Sequence, residues 1–108
     1  MQPTFLGKVT VASAGTPVPL SADLTLRVCA ILVSTIPGLT GNVYLGGAGL
    51  DQNTLAQVMI KFNAPSAFGP PDSFLVEARG GQNALQVSEY FLDASVSGEG
   101  ALVTYFQT

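Results

Sequence analysis

Polar and apolar residues alternate with a period of two in three stretches of this chain: Lys8–Ala12, Ser73–Arg79 and Ala101–Phe106. That period puts successive side chains on opposite faces of a strand, one toward a core and one toward water. In the second stretch Phe74, Val76 and Ala78 share one face, opposite Ser73, Leu75, Glu77 and Arg79. Leu55–Phe62 predicts another strand, with Val58, Ile60 and Phe62 on one side. Leu24–Val28 alternates too, but then becomes continuously apolar through Val33. Such a run predicts a strand covered on both faces, by the core and by a second subunit or a loop. A helix over 23–33 is the competing reading, and the β-branched content and neighbouring strands favour β.

Glycine and proline separate these elements. Pro17 and Pro19 flank a single residue, which keeps that segment out of a sheet interior. The segments 37–42, 80–83 and 98–100 read as turns. Val43-Tyr44-Leu45 predicts a short strand closed by Gly46-Gly47-Ala48-Gly49, read as turn glycines supplying positive φ. Residues 50–54 read as a loop or one helical turn, 84–92 as a strand, and 63–72 as the longest irregular stretch. About seven or eight short strands and no long helix predict an all-β fold, a single antiparallel β-sandwich of jelly-roll type. One domain spans 1–108, with 1–7 as an N-terminal arm.

Composition narrows the chemistry. The chain has 108 residues, no histidine, no tryptophan and one cysteine. Without histidine there is no Ser-His-Asp or Cys-His pair and little basis for a zinc site. An enzyme is not expected, and neither a cofactor nor a metal. Charged residues make up 10% of the chain against a usual ~25%. A surface so poor in charge predicts self-association as a trimer or dimer, or cover by another protein. The net charge is −3, and Lys8, Arg27, Lys61 and Arg79 are scattered, which argues against nucleic acid. The N-terminus lacks the basic-then-apolar run of a secretory signal, and the longest apolar run is far shorter than the ~20 residues of a membrane span. A soluble protein made in the cytoplasm, with no membrane partner, is expected. Cys29 lies in the apolar run and reads as a small buried hydrophobe.

Three candidate sites can be weighed. Glu77, Glu89 and Asp93 lie on successive predicted strands, and a glycosidase needs two carboxylates about 5 Å or 6.5–9.5 Å apart. Acids on a β-protein usually occupy its solvated face, and that reading is preferred. Asp51 and Asp72 lie in loops where calcium could bind, but neither belongs to a dense acidic loop. Gly46–Gly49 lacks the Lys-Ser/Thr pair of a phosphate-binding loop. Tyr44, Tyr90, Phe91, Tyr105 and Phe106 could form a carbohydrate platform, although strand aromatics are more often core or subunit interface.

Two stretches look familiar together: Gly41-Asn42-Val43-Tyr44-Leu45-Gly46-Gly47, and residues 90–105 with their Val96-Ser97-Gly98-Glu99-Gly100 turn. With Val9–Leu20 before them, they resemble small virion proteins of tailed bacteriophages. The resemblance covers most of the chain, and its motifs are strand and turn patterns. It implies a β-sandwich or jelly roll and a capsid decoration (cement) protein that binds the major capsid protein lattice and stabilises the head. The location it implies is the capsid surface of the virion, reached from the host cytoplasm. The alternatives are a head–tail connector or a tail or fibre structural protein, and, from another class, a carbohydrate-binding module.

Two segments are the candidate interfaces. Phe5 and Leu6 precede the first predicted strand, in the expected arm. The proline-rich stretch 64–72 departs from the family pattern and holds Phe68 between turn residues, with Pro70 and Pro71 restricting the backbone before docking. Phe68 either anchors a partner there or plugs the open end of its own sandwich.

Overall fold

The chain folds as one long hairpin, rolled up. The computed structural model describes residues 2–36, 40–63 and 73–108. Ten strands lie among them: β1 Gln2–Thr10, β2 Val18–Pro19, β3 Arg27–Val28, β4 Ala30–Thr35, β5 Val43–Asp51, β6 Ala56–Phe62, β7 Ser73–Glu77, β8 Leu85–Gln86, β9 Phe91–Ala94 and β10 Gly100–Gln107. The pairs are nested: β5 with β6, β4 with β7, β3 with β8, β2 with β9 and β1 with β10, all antiparallel. Rolling that ribbon adds the pairs β10–β4 and β9–β5. Two four-stranded sheets result, β1-β10-β4-β7 and β2-β9-β5-β6, beside the small β3-β8 ladder. This order is the jelly-roll connectivity, the sandwich that the alternation predicts.

The core lies between the two sheets. Ile31, Val33, Ala101 and Val103 face it from the first sheet, and Val43, Leu45, Phe62, Leu92 and Ala94 from the second. Short and β-branched side chains dominate, which suits pleated faces packed about 10 Å apart. Val58, Ile60 and Phe62 share the inward face of β6, and Phe74 and Val76 that of β7, as the alternation requires.

Three local readings are corrected. Residues 2–7 are no free arm: they form the first half of β1, paired with β10 from Gln2↔Gln107 to Thr10↔Gly100. The far end of β10 has backbone groups that need partners, and the extension of β1 supplies them. A bulge between Phe5 and Gly7 keeps the pairing going, with Gly7 at φ 80°. The stretch 24–33 is no single strand. Asp23 accepts bonds from the Thr25 amide (2.9 Å) and hydroxyl (2.7 Å), turning the chain there and holding the Asp23 carboxyl below its ordinary pKa. The run divides at Cys29 into β3, which pairs with β8, and β4, which joins the first sheet.

The glycines 46–49 lie inside β5 and not in a turn, and none of them has a positive φ. After Gly46↔Val58 the next register pair is Asp51↔Ala56, so four residues of β5 lie opposite Gln57 alone. The Gln57 side chain folds across them, its Oε1 accepting the Gly49 amide at 2.8 Å. A Cβ at Gly46 would collide with the Gln57 main-chain oxygen, so glycine is required for close approach.

Candidate functional site

A sandwich has two inner faces that make its core and two outer faces that meet the surroundings. Here the outer faces differ. On the first sheet the outward positions carry Phe5, Leu102, Leu32, Leu75 and Phe106. Phe5 is 78% exposed, Leu75 45% and Leu102 43%. Two shallow grooves cross this face. One is walled by Ala30, Leu32, Leu75 and Phe106, with Glu77 at its end. The other runs between Phe5, Ser34, Leu102 and Thr104. Apolar side chains stand outward here in all four strands, with Thr104, Ser34 and Ser73 among them, and exposed apolar surface of this kind marks an interaction face.

The β1 bulge is what places Phe5 there. Unbroken alternation back from Lys8 would turn Leu6 outward and Phe5 toward the core. The extra residue inverts the pattern, so that Phe5 pairs with Thr104 on the outer face. Leu6 sits in the bulge, 37% exposed.

Over β9 and the start of β5 the outer face of the second sheet is closed by polar contacts, whereas Met59 on the edge strand β6 is 48% exposed. Asp93 is 1% exposed, and its Oδ1 accepts the amides of Gly15 (3.0 Å) and Ala94 (2.8 Å). Its Oδ2 accepts Nε2 of Gln52 (3.1 Å), which also donates to the Ala94 carbonyl (3.0 Å). One carboxylate thus ties the segment before β2 and the β5–β6 turn onto β9. Tyr44, opposite Asp93 in the ladder, lies buried with the Lys61 ammonium 6.0 Å from its ring centre.

A third acid fastens the end of the sandwich. The Glu99 carboxylate accepts the Thr40 amide (2.8 Å) and hydroxyl (3.1 Å) and the Gly41 amide (2.9 Å). The Thr40 amide does most to hold the Glu99 carboxyl below the usual glutamate range, with the Gly41 amide, the Thr40 hydroxyl and the charge of Lys8 adding to it against the effect of burial.

The carboxylates considered for hydrolysis stand apart. Glu77 ends β7 in the first sheet, Glu89 is exposed on a 3-10 turn, and the oxygens of Asp93 in the second sheet are engaged as above. Asp51 caps its own turn, accepting the amides of Asn53 (2.8 Å) and Thr54 (3.4 Å), and Asp72 lies outside the described residues. Among the described residues no three metal-ligating side chains come together. The aromatics do not share a platform. Tyr90 and Tyr105 pack on the core, Phe91 and Tyr44 belong to the second sheet, and Phe106 to the outer face of the first. Burial pushes the Tyr90 hydroxyl pKa up, and the Glu89 charge adds to it.

Of the residues singled out as interfaces, Phe5 and Leu6 are on β1, and Phe68, Pro70 and Pro71 lie outside the described residues. The alternation alone does not mark Leu75, Leu102 and Leu32 as interface residues, whereas Phe106 is one of the strand aromatics. The signal for them is the apolar residue at an outward position, such as Leu75 between Ser73 and Glu77. Among the described residues no helix is long and apolar enough to cross a membrane. Comparison with protein-family models, with curated proteins and with solved structures finds no match.

Proposed function

We propose that this chain is a structural virion subunit, a capsid decoration protein that works by binding and not by bond chemistry. The observation that carries the reading is the open apolar face of the first sheet on a jelly-roll scaffold. Fold alone leaves function undecided, since jelly rolls serve capsids and lectins alike. The phage context comes from the sequence patterns around Asn42 and Gly98. The partner is the major capsid protein lattice, and the stretch containing Phe68 is the proposed contact with it. Binding to the assembled shell and not to separated subunits stabilises the shell by mass action. Many copies on one lattice let individually weak contacts hold.

The test is addition of purified protein to heads of the parent phage assembled without it. Saturable binding at a copy number that follows the lattice, with a raised temperature of head disruption, is the expected result. A few copies confined to one vertex would assign the chain to a connector or tail instead, and no binding to particles would end the reading.

A further inference from the structure

The open face of the first sheet has its charges at opposite corners. Lys8 stands on the edge strand β1, in the row of Leu102. Glu77 stands on the other edge strand, β7, in the row of Ala30 and Phe106. Phe5, Thr104, Leu32 and Leu75 form the row between. With strands about 4.8 Å apart and same-face neighbours about 6.7 Å apart, Lys8 and Glu77 are separated by about 14 Å across the strands and about 13 Å along them. The face is therefore close to square. A two-fold axis lying in the face along the other diagonal exchanges these two corners.

We propose that a second copy of this chain covers this face through that two-fold axis. The operation sets the strands of the two copies near right angles, one of the two ways in which sheets pack face to face. Lys8 of each copy then lies against the partner's Glu77, giving two ion pairs from one exchange. Leu102 falls against the partner's Leu75. Phe5, the most exposed of the large apolar side chains among the described residues, falls between the partner's Phe106 and Ala30, over the apolar groove that these residues wall. Knob and groove are on the same surface, as an isologous dimer requires. A face about 14 Å by about 13 Å between its charged corners lies at the low end of interface sizes, so the pair is weak in solution and tightens where copies are concentrated on a particle.

This inference deepens the proposed function and rests on reading the face as a protein interface. Sedimentation equilibrium of the full chain from about 1 to 500 µM tests it. The natural chain is expected to reach a dimer within that range. Lys8→Glu alone and Glu77→Lys alone each place like charges at both corners and should weaken the dimer about tenfold or more. Lys8→Glu combined with Glu77→Lys should restore it. Phe5→Asp should leave a monomer. Lys8, Glu77 and Phe5 are exposed, so an unchanged far-UV circular dichroism spectrum and a cooperative melt at a concentration where all variants are monomeric verify folding of each variant. A natural chain that stays monomeric or forms a trimer overturns the inference, as does a double reversal that stays dissociated. Head binding is scored separately. A monomer that decorates heads defeats the dimer and leaves the proposed function standing. A dimer that ignores heads does the reverse.

Discussion

The two outward faces of this sandwich are built from the same kind of strand, yet one is closed and the other open. The β9 and β5 part of the β2-β9-β5-β6 face is covered by chain brought over it, held by a buried carboxylate that accepts main-chain and side-chain N–H groups, while its edge strand β6 leaves an apolar side chain, Met59, in water. The face of β1-β10-β4-β7 presents leucine and phenylalanine to its surroundings. Closing a face with the chain's own loops costs conformational entropy, but leaves a finished monomer surface. Leaving it apolar defers that burial to an encounter with another molecule. The contrast predicts that polar substitutions destabilise the fold on the closed side, and that apolar ones alter association on the open side.

The largest expected effect is on the closed side. Asp93→Ala removes the acceptor for Gly15, Gln52 and Ala94 and should cost about 3 kcal/mol, since each orphaned, partly buried donor costs about 1–3 kcal/mol. For a domain of this size that lowers the melting temperature by roughly 12–20 °C. A change below about 1 kcal/mol in urea unfolding would show that the carboxylate does not hold the face shut. Gly46→Ala should cost about 2 kcal/mol, because its methyl meets a main-chain oxygen that no side-chain rotation can move. Gly80→Ala is the control for glycine loss without collision: its Cβ would meet open space, and its strain comes from φ 84° alone.

How much of this contrast is legible in the sequence depends on the face. The inward residues of β6, β7 and β10 are plain, because burial on one side imposes a period of two. The segment before β4 misleads because Leu24-Thr25-Leu26 alternates like a strand while Asp23 turns it. The glycines of β5 mislead for a different reason. Glycine in a sequence suggests positive φ, but here it makes room for Gln57, a contact eight residues away from Gly49 that no local rule contains. The Asp93 clamp is also invisible, since its partners lie 41 and 78 residues distant. The open face is half legible. Leu75 among polar neighbours marks it, whereas the outward turn of Phe5 depends on a bulge.

Acid sharpens the comparison with a smaller effect. Glu99 has a folded-state pKa below its unfolded one, so its contribution is present above the ordinary glutamate pKa and lost as pH falls through the depressed value. The melting temperature should therefore drop as pH is taken below that of ordinary glutamates. Glu99→Gln should flatten the drop, and an unchanged slope would remove Glu99 as its source.

The smallest expected effect on stability is on the open side. Leu75→Thr should change the unfolding free energy by under about 1 kcal/mol, because the side chain is already half in water. The same variant should bind less of a hydrophobic dye and associate more weakly. A loss of several kcal/mol would mean that Leu75 belongs to the fold and not to the interface.

The bulge at Gly7 divides β1 into two parts with separate histories open to them. Downstream, Val9 faces the sandwich interior and answers to its packing. Upstream of the glycine the phase is inverted, so Phe5 and Pro3 answer only to whatever lies outside. Substitutions at those two positions can retune the choice of neighbour while the interior stays as it is. A single permissive backbone joint thus uncouples what the chain can meet from how it folds.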